Sequence, residues 1–125
     1  MQQVLAELYE GRGKLDRAIF YLRQVCSSGK KKRWAHYQLV MLLQRTGHAL
    51  VALAEAEKAL ELYKDFAELA LFAGNVAFKE KLYSRAERHY QRAARLGSPS
   101  AVIGLEKIRI LRRSASARKR GSRRR

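Results

Sequence analysis

Three histidines and one cysteine are the side chains of this sequence best suited to acid-base, metal or nucleophilic chemistry, and their spacing denies them all three roles. His36, His48 and His89 stand far apart, with no cysteine or carboxylate pair at the short intervals that a metal site uses. Cys26 has no second cysteine to pair with, so it reads as a structural thiol in a reducing compartment. No phosphate-cradling glycine loop, nucleophile elbow or His-Glu-x-x-His motif occurs. The sequence therefore reads as a non-enzyme without catalytic, metal or cofactor residues. The histidines are expected to face solvent or line a groove.

Recognition chemistry is what remains, and positive charge is its first form. The net charge is +16, and it is uneven: 17 basic residues face 10 acidic ones up to position 100, and 10 face 1 beyond it. Residues 114–125 contain Arg118, Lys119, Arg120, Arg123, Arg124 and Arg125 without an acidic or large apolar side chain. Such a segment has nothing to bury and is expected to be a disordered tail. It has three readings: a solvated charge run, an arm for nucleic acid or another polyanion, or an import signal, which would imply a nucleus. With no aromatics in the tail, base stacking is not expected. Ser122 offers a phosphorylation site that would weaken either contact.

The elements that must position any recognition surface repeat at 34 residues. Glycine recurs at Gly13 and Gly47, with Lys81 in the third slot, and alanine recurs at Ala18, Ala52 and Ala86. Gapless self-similarity at this period means stacked helical hairpins. Apolar residues at helical spacing place helices at Gln2–Glu10, from Leu15 to Val25, at Trp34–Arg45, Ala49–Tyr63, Phe66–Glu80 and Tyr83–Leu96. Ser98 and Pro99 then cap and open a last helix. Its stripe of Ala101, Val102, Leu105, Ile108 and Leu111 would close the open end of the stack, with Ile103 and Ile110 on its far side. Only one proline interrupts the chain, and no run is long and apolar enough for a membrane span. The fold class is all-α: an α-solenoid of three hairpins (1–32, 33–66, 67–98) and a capping helix (99–113), together one domain over 1–113, followed by the basic tail at 114–125. A first helix starting almost at Met1 raises the expectation that the chain ends a longer array. The alanines at the 34-residue interval fit the crossing of two helices, where a larger side chain would overpack.

Over residues 2–113 the chain resembles the tetratricopeptide repeat family. The resemblance is carried by Leu5, Ala6, Tyr9, Ala18 and Leu22, by Leu39, Val40, Leu43, Ala52, Ala56 and Ala59, and by Ala73, Gly74, Ala77, Ala86, Tyr90 and Ala93. No tryptophan stands at the family's first aromatic site, and only the third repeat has its glycine in the first helix. The resemblance implies that the first helix of each hairpin lines a concave groove. That groove would take Gln3, Glu7 and Glu10 from the first repeat. The second would add Trp34, Tyr37, Gln38, Met41, Gln44 and Arg45, and the third Glu68, Leu71, Phe72, Asn75, Phe78 and Lys79. Family members that grip chaperone C-terminal carboxylates use lysine, arginine and asparagine there. Here those places hold Gln3, Glu7, Gln38, Glu68 and Phe72, so a peptide or helix with apolar anchors is the better fit.

The expected function is a non-enzymatic, cytoplasmic adaptor or scaffold that binds a partner protein's peptide or helix in this groove. Two other readings stand beside it. One is a nucleic-acid-associated factor acting through Lys30–Arg33 and the tail, nuclear if the cell has a nucleus. The other is a chaperone for an apolar segment of a secreted protein.

Overall fold

The computed structural model describes residues 15–27 and 33–123, all in helices and the short turns between them. The helices are α1 (Leu15–Ser27), α2 (Arg33–Arg45), α3 (Ala49–Leu62), α4 (Ala67–Lys79), α5 (Tyr83–Arg95) and α6 (Pro99–Arg123). For α2 to α5 the bounds fall within one residue of those read from periodicity. The helix expected at Gln2–Glu10, Gly13 and Lys30–Lys32 lie outside the described residues.

Each helix packs on the next in sequence, and α6 also reaches back to α4. This nearest-neighbour pattern is what stacked hairpins produce. The core follows the small residues: Ala18, Ala52 and Ala86 are all fully buried, which lets the paired helices approach closely. One apolar cluster joins Leu22, Val25, Leu39, Leu42 and Leu43 between α1, α2 and α3. A larger one runs from Val40 and Leu53 through Leu69, Val76 and Tyr90 to Ile108.

The turns inside the second and third hairpins are built alike. His48 N–H donates to the Leu43 carbonyl at 2.8 Å, and Leu82 N–H to the Ala77 carbonyl at 2.8 Å, each reaching back across the end of a helix. This closure needs a left-handed residue just past the helix. Gly47 supplies it with φ 87°, and in the third hairpin Lys81 is forced to φ 63°. A lysine side chain clashes in that conformation where glycine does not. Lys81→Gly should therefore raise stability by about 1 kcal/mol, seen as a higher urea midpoint at unchanged slope. A lower midpoint would mean that the exposed lysine makes a contribution the turn depends on.

The last helix begins as expected, at Pro99, with Ser98 Oγ accepting from the Ala101 N–H at 3.3 Å. Two features differ from the sequence expectation. The buried stripe is narrower: Ala101, Gly104 and Ile108 are buried and Leu105 half-buried, while Val102 and Leu111 join Ile103 and Ile110 in solvent. Residues at intervals of three and four share a face, and Val102 lies a third of a turn away from it. The helix also runs on to Arg123, through the segment expected to be disordered. Arginine, lysine and alanine are strong helix formers, and no proline or glycine intervenes before Gly121, so an established helix has no local reason to stop at Arg113.

Candidate functional site

The twelve groove residues lie on two helices, Trp34, Tyr37, Gln38, Met41, Gln44 and Arg45 on α2 and Glu68, Leu71, Phe72, Asn75, Phe78 and Lys79 on α4. They do not form one continuous wall. Trp34, Tyr37, Gln38 and Glu68 come together with Arg33 and Phe66 around an open cleft of about 500 Å³. Aromatic contacts shape its floor: the Tyr37 ring centre is 5.9 Å from Phe66 and 6.0 Å from Phe72, and the Arg33 guanidinium stands 4.3 Å above the Phe66 ring. A guanidinium over an aromatic face is attractive and leaves the cleft one fixed positive edge, with Glu68 as a negative one. Met41 is 37% exposed beside this cleft on α2. A smaller recess of about 280 Å³ is lined by Glu68 and Leu71 with Leu96, Gly97 and Ser98.

Other expected groove residues serve the scaffold. Phe78 sets its ring edge-on against Tyr83 of α5, with centres 5.5 Å apart, and Phe72 and Phe78 pack on the core, as the inner sides of Tyr37 and Leu71 also do, while Trp34 packs on the smaller cluster between α1, α2 and α3. Asn75 accepts a hydrogen bond from the Tyr90 hydroxyl at 2.7 Å. Gln44, Arg45 and Lys79, near the far ends of their helices, line none of these recesses. Sequence reasoning missed Arg33 and Phe66. Phe66 is the residue just before α4 and Arg33 the first residue of α2, and only the packing of the two helix starts brings them to the same cleft.

None of the histidines lines the Trp34 cleft. His36 Nδ1 lies 3.2 Å from the Tyr63 hydroxyl, His48 Nδ1 lies 2.9 Å from Thr46 Oγ1, and His89 Nε2 lies 2.7 Å from Glu57 Oε2. Each ties local structure together in a different place. Among the described residues no three His, Cys, Asp or Glu side chains stand close enough to hold a metal ion. Burial and the nearby Glu55 push the Cys26 thiol up to about 11, despite Arg23. At that value it is protonated at neutral pH and a poor nucleophile. Among the polyanion candidates, Arg118 is exposed on α6; Lys119, Arg120 and Arg123 continue that helix, and Arg124 and Arg125 lie outside the described residues.

No family model matches the sequence, and no curated protein matches it significantly. Solved structures do match. The TPR domain of Sgt2 from Aspergillus fumigatus superposes with a TM-score of 0.78 at 18% identity, over 93% of this chain and 80% of that one. The fold is that of the tetratricopeptide repeat. The first TPR domain of Spaghetti (RPAP3), solved with an HSP90 peptide, is similar over 88% of this chain and 89% of that one, with a TM-score of 0.75 and 19% identity. The type III secretion chaperone SycD of Yersinia enterocolitica, solved with a peptide of the translocator YopD, is similar over 89% and 92%, with a TM-score of 0.77 and 16% identity. In this chain the first helices of the second and third hairpins, α2 and α4, meet at the Tyr37–Phe72 ring contact. Among the described residues no helix is long and apolar enough to cross a membrane.

Proposed function

We propose that this chain is a non-enzymatic adaptor whose tetratricopeptide-repeat fold holds a peptide of a partner protein against α2 and α4. The observation that carries the reading is the cleft at Trp34, Tyr37, Gln38 and Glu68, where half-buried aromatic surface stays open to solvent on a helix pair that the core already holds rigid. An open apolar recess edged by a few polar groups suits one anchoring side chain of a peptide. Two of the similar structures hold peptides on this same fold, from HSP90 and from YopD. The edge charges oppose each other, Arg33 against Glu68, so the cleft has no net preference for an acidic tail. A cytoplasmic setting belongs to the same proposal, since the lone Cys26 needs no oxidising compartment.

Selection of a random peptide display library on the full chain tests this. Peptides sharing one aromatic or large aliphatic anchor should be enriched. Gln38→Arg, which fills the cleft without removing core packing, and Trp34→Ala should each weaken them at least about tenfold, a loss of about 1.4 kcal/mol, while the helical circular dichroism is unchanged. Peptides that bind both folded variants as tightly as the original chain would place the recognition surface elsewhere.

A further inference from the structure

The positive charge of this molecule gathers on a face that the peptide cleft does not use. α5 carries Arg85, Arg88, Arg92 and Arg95, at intervals of three and four residues that turn to a common side of a helix. With His89, and with Glu57 and Glu61 of α3, they line a furrow of about 620 Å³ between the two helices. No residue of this furrow lines the Trp34 cleft.

The two glutamates leave the furrow positive. Glu57 is engaged by Arg85 and His89, so Glu61 alone faces three further arginines. Among the described residues Arg88, Arg92 and Arg95 form no ion pair. Arg88 and Arg95 are exposed and Arg92 half-buried, outside the apolar core. Like charges three and four residues apart on a helix repel, and although Arg92 and Arg95 in the last turn gain from the helix dipole, the repulsion along the row is relieved when a counter-charge arrives.

The charge continues onto α6. Arg112 donates to Glu87 of α5 and ties the two helices together. Arg113 and Arg118 are exposed along α6, Arg109 is exposed and paired with Glu106 at 3.1 Å, and Glu106 is the only acidic residue after position 100. With 25 residues at 1.5 Å each, α6 is about 37 Å long. From Lys107 to Arg118, about 17 Å of that length, every charged side chain is basic, and duplex nucleic acid carries one negative charge per about 1.7 Å of axis. The planar guanidinium fork fits phosphate oxygens two at a time. Neither α5 nor α6 exposes an aromatic side chain: Tyr83 is half-buried against Phe78, Tyr90 is buried, and α6 contains none. Bases would find nothing to stack on, which leaves the backbone as the thing bound.

We propose that the α3–α5 furrow and the basic length of α6 form a binding face for the phosphodiester backbone of duplex nucleic acid, recognised without regard to sequence. This face is separate from the peptide cleft and does not depend on it. Fluorescence anisotropy with a short labelled duplex DNA of arbitrary sequence tests it on the full chain. Log affinity should fall linearly with log salt. The triple variant Arg88→Gln, Arg92→Gln, Arg95→Gln should lose at least about tenfold in affinity and reduce the salt slope by about 2 to 3, at about 0.9 per phosphate contact. Arg95→Glu, a single exposed change, should weaken binding in the same direction and covers the case in which the triple variant loses helix content. Three outcomes would overturn the proposal. One is no duplex binding at low salt, and another is a folded triple variant with unaltered affinity and slope. The third is polyglutamate displacing the duplex as well as unlabelled duplex does, which would mark the face as a site for an acidic protein segment.

Discussion

Gly74→Ala should destabilise the chain by about 1–3 kcal/mol through overpacking, although an alanine in a helix interior ordinarily stabilises by about 1 kcal/mol relative to glycine. The cause is the Tyr90 ring. A Cβ built on Gly74 would lie 2.6 Å from Tyr90 Cδ1 and 2.7 Å from Cε1, well inside van der Waals contact. A side chain can often swing away from such a clash, but this ring cannot. Its other edge rests on Gly104 of α6, where a Cβ would sit 2.6 Å from Cε2 and from Cζ. Its hydroxyl is fixed by Asn75 at 2.7 Å, and the residue is only 3% exposed. Tyr90 is thus clamped between two helix backbones, α4 and α6, each of which omits a side chain to make room. Gly104→Ala should cost about as much for the same reason. The decisive comparison uses a background without the ring. Tyr90→Ala itself should cost about 3–5 kcal/mol, as removal of a large buried aromatic does. In that background Gly74→Ala should change sign and stabilise, since only the helix-propensity gain remains. Urea unfolding followed by circular dichroism reads all four chains. If Gly74→Ala stabilises the original chain, the ring is not held as described. The clamp also bears on recognition, because α4 carries Glu68 and Leu71 and this side chain helps to hold it against α6.

The two glycines show where the sequence is legible and where it is not. Gly74 stands out in the sequence as a repeat-family feature, and Tyr90 as an apolar stripe member, because both follow a local rule of spacing. Gly104 carries no such signal: it looks like an ordinary weak point in a helix until the third dimension sets it on the Tyr90 ring, 14 residues away in sequence. The same division runs through the cleft. Helix bounds, the left-handed slot at Lys81 and the burial of Ala18, Ala52 and Ala86 are consequences of periodicity, and periodicity can be counted. Which of the outward-facing residues stay open depends on what each neighbouring helix presents. Tyr83 packs edge-on against Phe78, and the Tyr90 hydroxyl donates to the Asn75 side-chain oxygen, so both Phe78 and Asn75 are tied to the scaffold in a way that their position on the helix face does not show, while Asn75 stays exposed. Ion pairs follow the pattern too. Along α3 the sequence suggests partners three residues on, Glu55 with Lys58 and Glu61 with Lys64. In the structure Glu55 instead reaches Arg23 on α1, and Glu57 reaches Arg85 and His89 on α5. These partners lie about one repeat away, and counting within a single helix cannot find them.

Glu57→Gln should cost about 1–2 kcal/mol at neutral pH, more than an exposed ion pair, because one carboxylate serves two donors across a hairpin boundary. Arg85 donates through Nε at 3.1 Å to Oε2 and through Nη2 to Oε1, and His89 donates through Nε2 at 2.7 Å. His89 has only 12% of its side chain exposed and Glu57 28%, so water replaces these bonds poorly when the carboxylate is lost. The pH dependence fixes the assignment. Burial raises the Glu57 carboxyl, but the hydrogen bonds and charges of Arg85 and His89 outweigh it and hold the group below its ordinary value of 4.5. A carboxyl whose folded value is depressed stabilises the fold fully above the unfolded value and loses that contribution as pH falls through the folded one. The original chain and Glu57→Gln should therefore differ in unfolding free energy above the ordinary glutamate range, and the two should converge as the medium becomes more acid. A difference that persists unchanged into acid would assign the loss to packing of the glutamine rather than to the carboxylate's charge. α3 and α5 border the furrow as well as this cluster. The same substitution releases Arg85 into the arginine row, and it should strengthen duplex binding even as it weakens the fold. That opposition separates the structural role of Glu57 from any role it has in the furrow.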